Sequence, residues 1–188
     1  RRFIRLGIME MIIFFSSAFI AFGYAGLLFW IMKGWDDTPE WEVPERYIPE
    51  TPITVIIAAR NEEQYIETVI RSVLSQNFPS ELIQLIVVDD QSTDATASLV
   101  KAISDPRLKL LTTDKSTGKK AAISLAINNA KSDLIICTDA DCIAPSDWLR
   151  LMVSMYEVNK PKFLAGPIVY KIDRSPVQRF QYLDGVAE

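Results

Sequence analysis

From Ile53 onward the sequence predicts an α/β domain, a mostly parallel sheet flanked by helices, with one transmembrane helix ahead of it. Three observations carry this. Apolar runs of strand length alternate with helix-length stretches, the pattern of consecutive βαβ units. The runs are apolar throughout rather than on alternate residues, as in sheets covered on both faces. Met11–Met32 contains no charged residue, and roughly 22 residues of helix span about 33 Å, enough for a bilayer core.

The composition bounds the chemistry. A chain of 188 residues holds one domain with residues to spare, and a net charge of −4 argues against a nucleic-acid surface. The complete absence of His removes His-based triads, metal sites and acid–base catalysis. Cys137 and Cys142 form neither a disulfide framework nor a zinc spacing, and Cys137, inside an apolar run, reads as a small buried residue.

The elements follow in order. Residues 1–33 read as a membrane anchor, single-pass within this chain. Ser16, Ser17, Ala18, Ala21, Gly23, Ala25 and Gly26 offer a small-residue packing face, and Trp30, Trp35 and Trp41 an interfacial belt. The apolar run is longer than that of a signal peptide, although Arg1, Arg2 and Arg5 resemble a basic leader. Those arginines favour a cytoplasmic N-terminus by charge counting. The chemistry implied by the motifs below instead favours a cytoplasmic domain, and this is the orientation expected. Residues 34–52 form an acidic linker in which Pro39, Pro44, Pro49 and Pro52 forbid a continuous helix.

The domain, 53–188, opens with a strand over Ile53–Ala59. Asn61 is a candidate helix cap, with Glu62 and Glu63 suited to a helix N-terminus. Ile66, Val69, Ile70, Val73 and Leu74 then mark a helical core face. A second strand, Leu82–Val88, runs into Asp89-Asp90-Gln91-Ser92-Thr93-Asp94, whose polar side chains suit the cap of a helix reaching Lys101. Arg107–Thr113 reads as a third strand, and Gly118 opens a helix carrying Ala121–Ala130. The fourth strand starts at Leu134 and leads into Asp139-Ala140-Asp141. Pro145-Ser146-Asp147 begins a helix through Tyr156, Phe163–Tyr170 reads as a further strand and Val177–Val186 as a helix.

Asp139 and Asp141, at i and i+2 on extended backbone, would point the same way and present hard oxygen ligands to Mg²⁺ or Mn²⁺. A solvated acidic turn is the plainer alternative for Asp-x-Asp alone. Three polar clusters nevertheless fall at strand ends: Asn61/Glu62, Asp89/Asp90 and Asp139/Asp141. Parallel sheets bind ligands beyond their carboxyl ends, so a shared site is expected there.

Four blocks in this order, ITVIIAARNEE, LIVVDDQSTDAT, STGKKAAISLAIN and ICTDADC, resemble the family 2 glycosyltransferases, inverting enzymes of the GT-A fold. The resemblance covers roughly 52–167. It implies a nucleotide-sugar donor, most often a UDP-sugar, and a divalent cation, while the anchor suits a polysaccharide or lipid-linked acceptor that is itself at the membrane. By the resemblance, Ala59 and Glu62 line the nucleoside pocket. Asp90, with Asp89 beside it, accepts a hydrogen bond from the base. Lys119 lies near the nucleotide at a helix start, where a diphosphate is favoured on general grounds, although a solvated surface lysine is the simple alternative. Asp139 lies towards the ribose, and Asp141 reaches the cation.

The family's general base lies well downstream of the metal motif. Asp173, Asp184 and Glu188 are the carboxylates after Glu157, and none is assigned that role. The expectation is a fragment of a longer enzyme rather than a truncated donor-binding protein. A sugar nucleotidyltransferase is a weaker alternative, because Ala58-Ala59-Arg60-Asn61-Glu62 lacks a Gly-rich basic signature. A non-catalytic nucleotide-sugar sensor and a membrane-anchored interaction domain are the alternatives outside enzymes.

Overall fold

The computed structural model describes residues 2–37, 41–115 and 118–166. The chain divides into two units, 1–41 and 42–188. The first is a single helix, α1 (Arg2–Asp36), in which the most apolar 18-residue stretch of Gly7–Gly34 has a mean hydropathy of 2.0 and an exposed surface. Among the described residues it is the one helix long and apolar enough to cross a membrane. Helical bonding runs past the expected boundary at residue 33, because the next helix-breaking proline is Pro39.

The second unit alternates strand and helix: β1 (Ile53–Ala59), α2 (Ile66–Leu74), β2 (Ile83–Asp89), α3 (Thr96–Ala102), β3 (Leu108–Thr112), α4 (Lys119–Ile127), β4 (Leu134–Asp139) and α5 (Trp148–Asn159). The strands are all parallel, in the order β3-β2-β1-β4. Central β1 and β2 are mostly apolar because helices cover both their faces. Val55, Ile57, Leu85 and Val87 pack with Ile66, Val69, Ile70 and Val73 of α2 and Leu149 and Val153 of α5. Ile56, Ile86 and Val88 point the other way, onto Ala122 and Ala126 of α4, whose small side chains permit a close approach. The polar exceptions are paired. The buried Thr54 hydroxyl donates to Gln84 Oε1 at 2.9 Å, and that oxygen also accepts the Lys131 amide at 2.8 Å.

The strand order fixes the site. In register, Ala59 faces Asp89 on one side, and Ala58 faces Asp139 on the other. The polar ends of β2 and β4 therefore flank the end of β1.

Several local expectations change. Asn61 caps no helix. It takes a left-handed conformation (φ 57°), and α2 begins only at Ile66, after a turn in which the Glu62 carbonyl accepts the Tyr65 and Ile66 amides. At α3 the N-cap position is Ala95, and Asp94 just before it accepts the Thr96 amide at 2.9 Å. Helix α4 ends at Ile127, whereas α5 continues to Asn159 and stops where Lys160 turns left-handed (φ 49°). Cys137 is exposed rather than buried, because β4 is an edge strand among the described residues and Cys137 lies on its α4-side face, outside the α4 packing cluster. Residues 163–166 form no strand. The remainder of the expected strand to Tyr170, the expected helix Val177–Val186, and Asp173, Asp184 and Glu188 lie outside the described residues.

Candidate active site

A cavity of about 390 Å³ opens at the carboxyl ends of β1 and β4 and beside the residue that follows β2. It is lined by Ala58, Ala59, Arg60, Glu62, Asp90, Gly118, Lys119, Asp139, Ala140 and Asp141. Six of the seven residues expected from sequence thus meet at one place. Asp89 is the exception. It is buried at the end of β2, with Oδ1 accepting the Ser92 amide at 3.2 Å, and it does not line the cavity. Its carboxylate shapes the turn that carries Asp90 forward.

Asp90 is 4% exposed, and each of its oxygens is engaged. Oδ1 accepts the Thr113 hydroxyl at 2.8 Å and Oδ2 accepts the Gly118 amide at 3.0 Å. The carboxylate therefore ties the chain after β3 to the start of α4, and so helps to set where Lys119 stands. Gly118 (φ 81°) needs a conformation that glycine adopts freely. The sequence reasoning missed Gly118, Arg60 and Thr113 as site residues. The first two lie within the recognised blocks, but Thr113 carries no signal because its role depends on β3 lying beside β2.

The loops after β1 and β2 clasp each other. The Asn61 amide donates to Ser92 Oγ at 3.0 Å, Glu62 to Thr96 Oγ1 at 2.8 Å, and Glu63 to Asp94 Oδ2 at 3.1 Å. In return Thr93 donates to Asn61 Oδ1 at 2.8 Å and Ala95 to Glu63 Oε2 at 2.9 Å. Asn61, expected as a cap, is instead half of this clasp. The clasp fixes the backbone of Glu62, whose pKa is raised by burial and then by the neighbouring charges of Asp141, Asp94 and Asp139.

On the other wall, Asp139 and Asp141 come together through a turn rather than along extended backbone: the Cys142 amide donates to the Asp139 carbonyl at 3.3 Å. One ligand atom each from Asp139, Asp141 and Cys142 lies within 4.8 Å of the others. Burial, first, and Asp141 push the Cys142 thiol up, and its soft sulfur is a poor match for a hard cation. The carboxylates supply the hard oxygens suited to Mg²⁺ or Mn²⁺, so the donor set fits such a cation. Lys119 Nζ donates to Asp139 Oδ1 at 2.5 Å, and this bond chiefly raises the lysine pKa.

The chain has relatives by sequence and neighbours by structure among known proteins. It is 37% identical over 101 residues to the succinoglycan biosynthesis protein ExoO of Rhizobium meliloti, covering 54% of this chain and 28% of that protein. It is 33% identical over 114 residues to the Escherichia coli UDP-Glc:alpha-D-GlcNAc-diphosphoundecaprenol beta-1,3-glucosyltransferase WfgD, covering 61% and 44%. The chain thus spans less than half the length of these relatives. Among solved structures it resembles the mannosyltransferase PcManGT from Pyrobaculum calidifontis in complex with GDP-Man and Mn²⁺. That match has a TM-score of 0.61 and 32% identity, over 72% of this chain and 40% of the other. Staphylococcus aureus TarS 1–349 in complex with UDP matches with a TM-score of 0.53 and 25% identity, over 56% and 32%. The GT-A fold expected from the four blocks is the fold observed. Residues 54–183 match the profile of glycosyl transferase family 2, more than half the sequence, and the chain belongs to that family.

Proposed function

We propose that this protein is a membrane-anchored glycosyltransferase that moves a sugar from a nucleotide sugar to a polysaccharide or lipid-linked acceptor, with inversion. The observation that carries the proposal is the convergence of Glu62, Asp90, Lys119, Asp139 and Asp141 on one cavity at the strand ends. Asp90 lines the cavity with its carboxylate held by the Thr113 hydroxyl and the Gly118 amide, and from there it would accept a base N–H. Uracil and guanine both offer such a donor. The family resemblance favours UDP, and GDP is its competitor because the PcManGT neighbour was solved with GDP-Man.

Lys119 and the N-terminus of α4 suit a diphosphate. Asp139 and Asp141 would hold a divalent cation, which when bound stabilises charge on the departing nucleoside diphosphate. Helix α1 would keep the domain at the membrane, where lipid-linked acceptors reside, and a cytoplasmic placement matches the supply of activated donors.

The test is calorimetric titration of the 188-residue chain in detergent micelles with UDP and with GDP, in Mn²⁺ and in EDTA. Binding that needs the metal, and is lost in Asp139→Ala/Asp141→Ala, supports the proposal. Failure of a folded chain to bind either nucleotide overturns it.

A further inference from the structure

Lys119 Nζ stands 2.5 Å from Asp139 Oδ1 and so occupies one of the two carboxylates that would face the cation. Both side chains are open to water, 62% and 48% exposed, so the pair exchanges readily. Any divalent ion that uses Asp139 must compete with this ammonium. Lys119 is also the first residue of α4 and lines the same cavity as the Gly118 backbone. A diphosphate seated there would offer the lysine a second, more highly charged partner. The flexible four-carbon stem allows the ammonium to move from one partner to the other without backbone change.

We propose that Lys119 is a resident counter-ion of Asp139 that trades places with the metal. Without nucleotide it neutralises Asp139 and weakens the binding of free divalent ions. A nucleoside diphosphate draws the ammonium away, frees Asp139, and so lets cation and nucleotide bind cooperatively. By linkage the benefit is reciprocal: the metal, by displacing Lys119 from Asp139, releases it to the phosphates. The site thereby favours the metal–nucleotide pair over the metal alone. This exchange rests on the nucleotide-sugar reading of the cavity.

The experiment measures Mn²⁺ binding to the full chain in micelles by electron paramagnetic resonance of the free ion, with and without UDP and GDP. Wild type is compared with Lys119→Met, Lys119→Gln and Lys120→Met. The expected result has opposite signs. The two Lys119 variants bind Mn²⁺ alone about two- to fivefold more tightly, the range for release of an exposed ion pair. They bind nucleotide in Mn²⁺ more weakly, and nucleotide raises their Mn²⁺ affinity by a smaller factor than in wild type. Lys120→Met, which removes the same charge one residue along, leaves Mn²⁺ affinity unchanged.

Unchanged or weaker Mn²⁺ binding in both Lys119 variants overturns the exchange and leaves Lys119 as a plain phosphate ligand or structural residue. Equal tightening in Lys120→Met also overturns it, because the effect is then one of net charge. If wild type binds neither nucleotide, the reading of the cavity fails and the exchange fails with it. If wild type binds both ligands and the Lys119 variants do not differ from it, the exchange alone fails.

Discussion

Replacing Asp90 separates a carboxylate that organises the site from one that merely borders it. Asp90→Ala deletes two hydrogen bonds to a charged acceptor, those from Thr113 Oγ1 and Gly118 N. Each such bond contributes about 1.5–3 kcal/mol. The Gly118 amide is only part-buried, so water recovers some of the loss, and a net destabilisation of about 3–4 kcal/mol is expected. Asp90→Asn behaves differently. Its Oδ1 can keep the Gly118 amide, which can only donate. Its Nδ2 then faces the Thr113 hydroxyl, which can reverse and accept. Both bonds survive without the charge, at a cost of about 1–2 kcal/mol.

Urea unfolding of the chain in mild detergent, followed by near-ultraviolet circular dichroism, measures both values. Nucleotide titration below the transition then tests the site itself, where the two variants should both bind more weakly than wild type. Equal destabilisation by Ala and Asn, or less than about 1 kcal/mol from Ala, would refute the reasoning. In that case the Asp90 contacts do not hold the chain after β3 to α4.

Three further outcomes are expected. Thr96→Val keeps the shape of a fully buried residue but removes the acceptor of the Glu62 amide, which should cost about 1–3 kcal/mol and weaken nucleotide binding; unchanged thermal stability and affinity would show that the clasp is idle. Glu157 accepts the Glu50 and Thr51 amides at 3.1 and 2.8 Å. Burial acts to raise its pKa, but its neighbours Thr51, Tyr47 and Glu50 more than offset it, so the folded value lies below the ordinary one. The stabilisation is therefore present above about pH 4.3 and lost as pH falls through the lower folded value. Hydrogen exchange at Glu50 and Thr51, corrected for intrinsic rates, should accelerate there in wild type and be insensitive to that titration in Glu157→Gln. Finally, Ala21→Arg/Ala25→Arg places two charges in the apolar span, each costing about 2.5–3.5 kcal/mol at a helix centre, and should release the chain from membranes in an alkaline extraction assay.

The legible part of this molecule was the part written in local patterns. Ile53–Ala59 is a strand with the bounds its composition predicts, because a run buried on both faces leaves no ambiguity of period. The carboxyl-end clusters were legible for the same reason, since a parallel sheet brings its strand ends to one edge. What was not legible depended on neighbours distant in sequence. Asn61 looks like a cap and serves as a cross-loop acceptor for Thr93, 32 residues away. Asp89 and Asp90 are equivalent in composition, and only the turn after β2 sends one into the cavity and the other into the fold. Cys137 sits in an apolar run, yet its burial was set by the edge position of β4, which no local pattern reports.

The strand order also dictates a schedule for biosynthesis. During vectorial synthesis β1, β2 and β3 leave the ribosome first and can pair as neighbours, each joined by a short crossover. Strand β4 must return across them to β1, and about 80 residues of chain separate Ile53 from its partner Leu134. The strand that carries Asp139 and leads to Asp141 is thus the last of the four to dock. A nascent chain can possess the Asp90 wall and the start of α4 while still lacking the wall that carries Asp139 and Asp141. If the proposed function holds, ligand recognition would arrive as the closing step of sheet assembly, and an incomplete product would be blind to metal-bound nucleotide until that step is done.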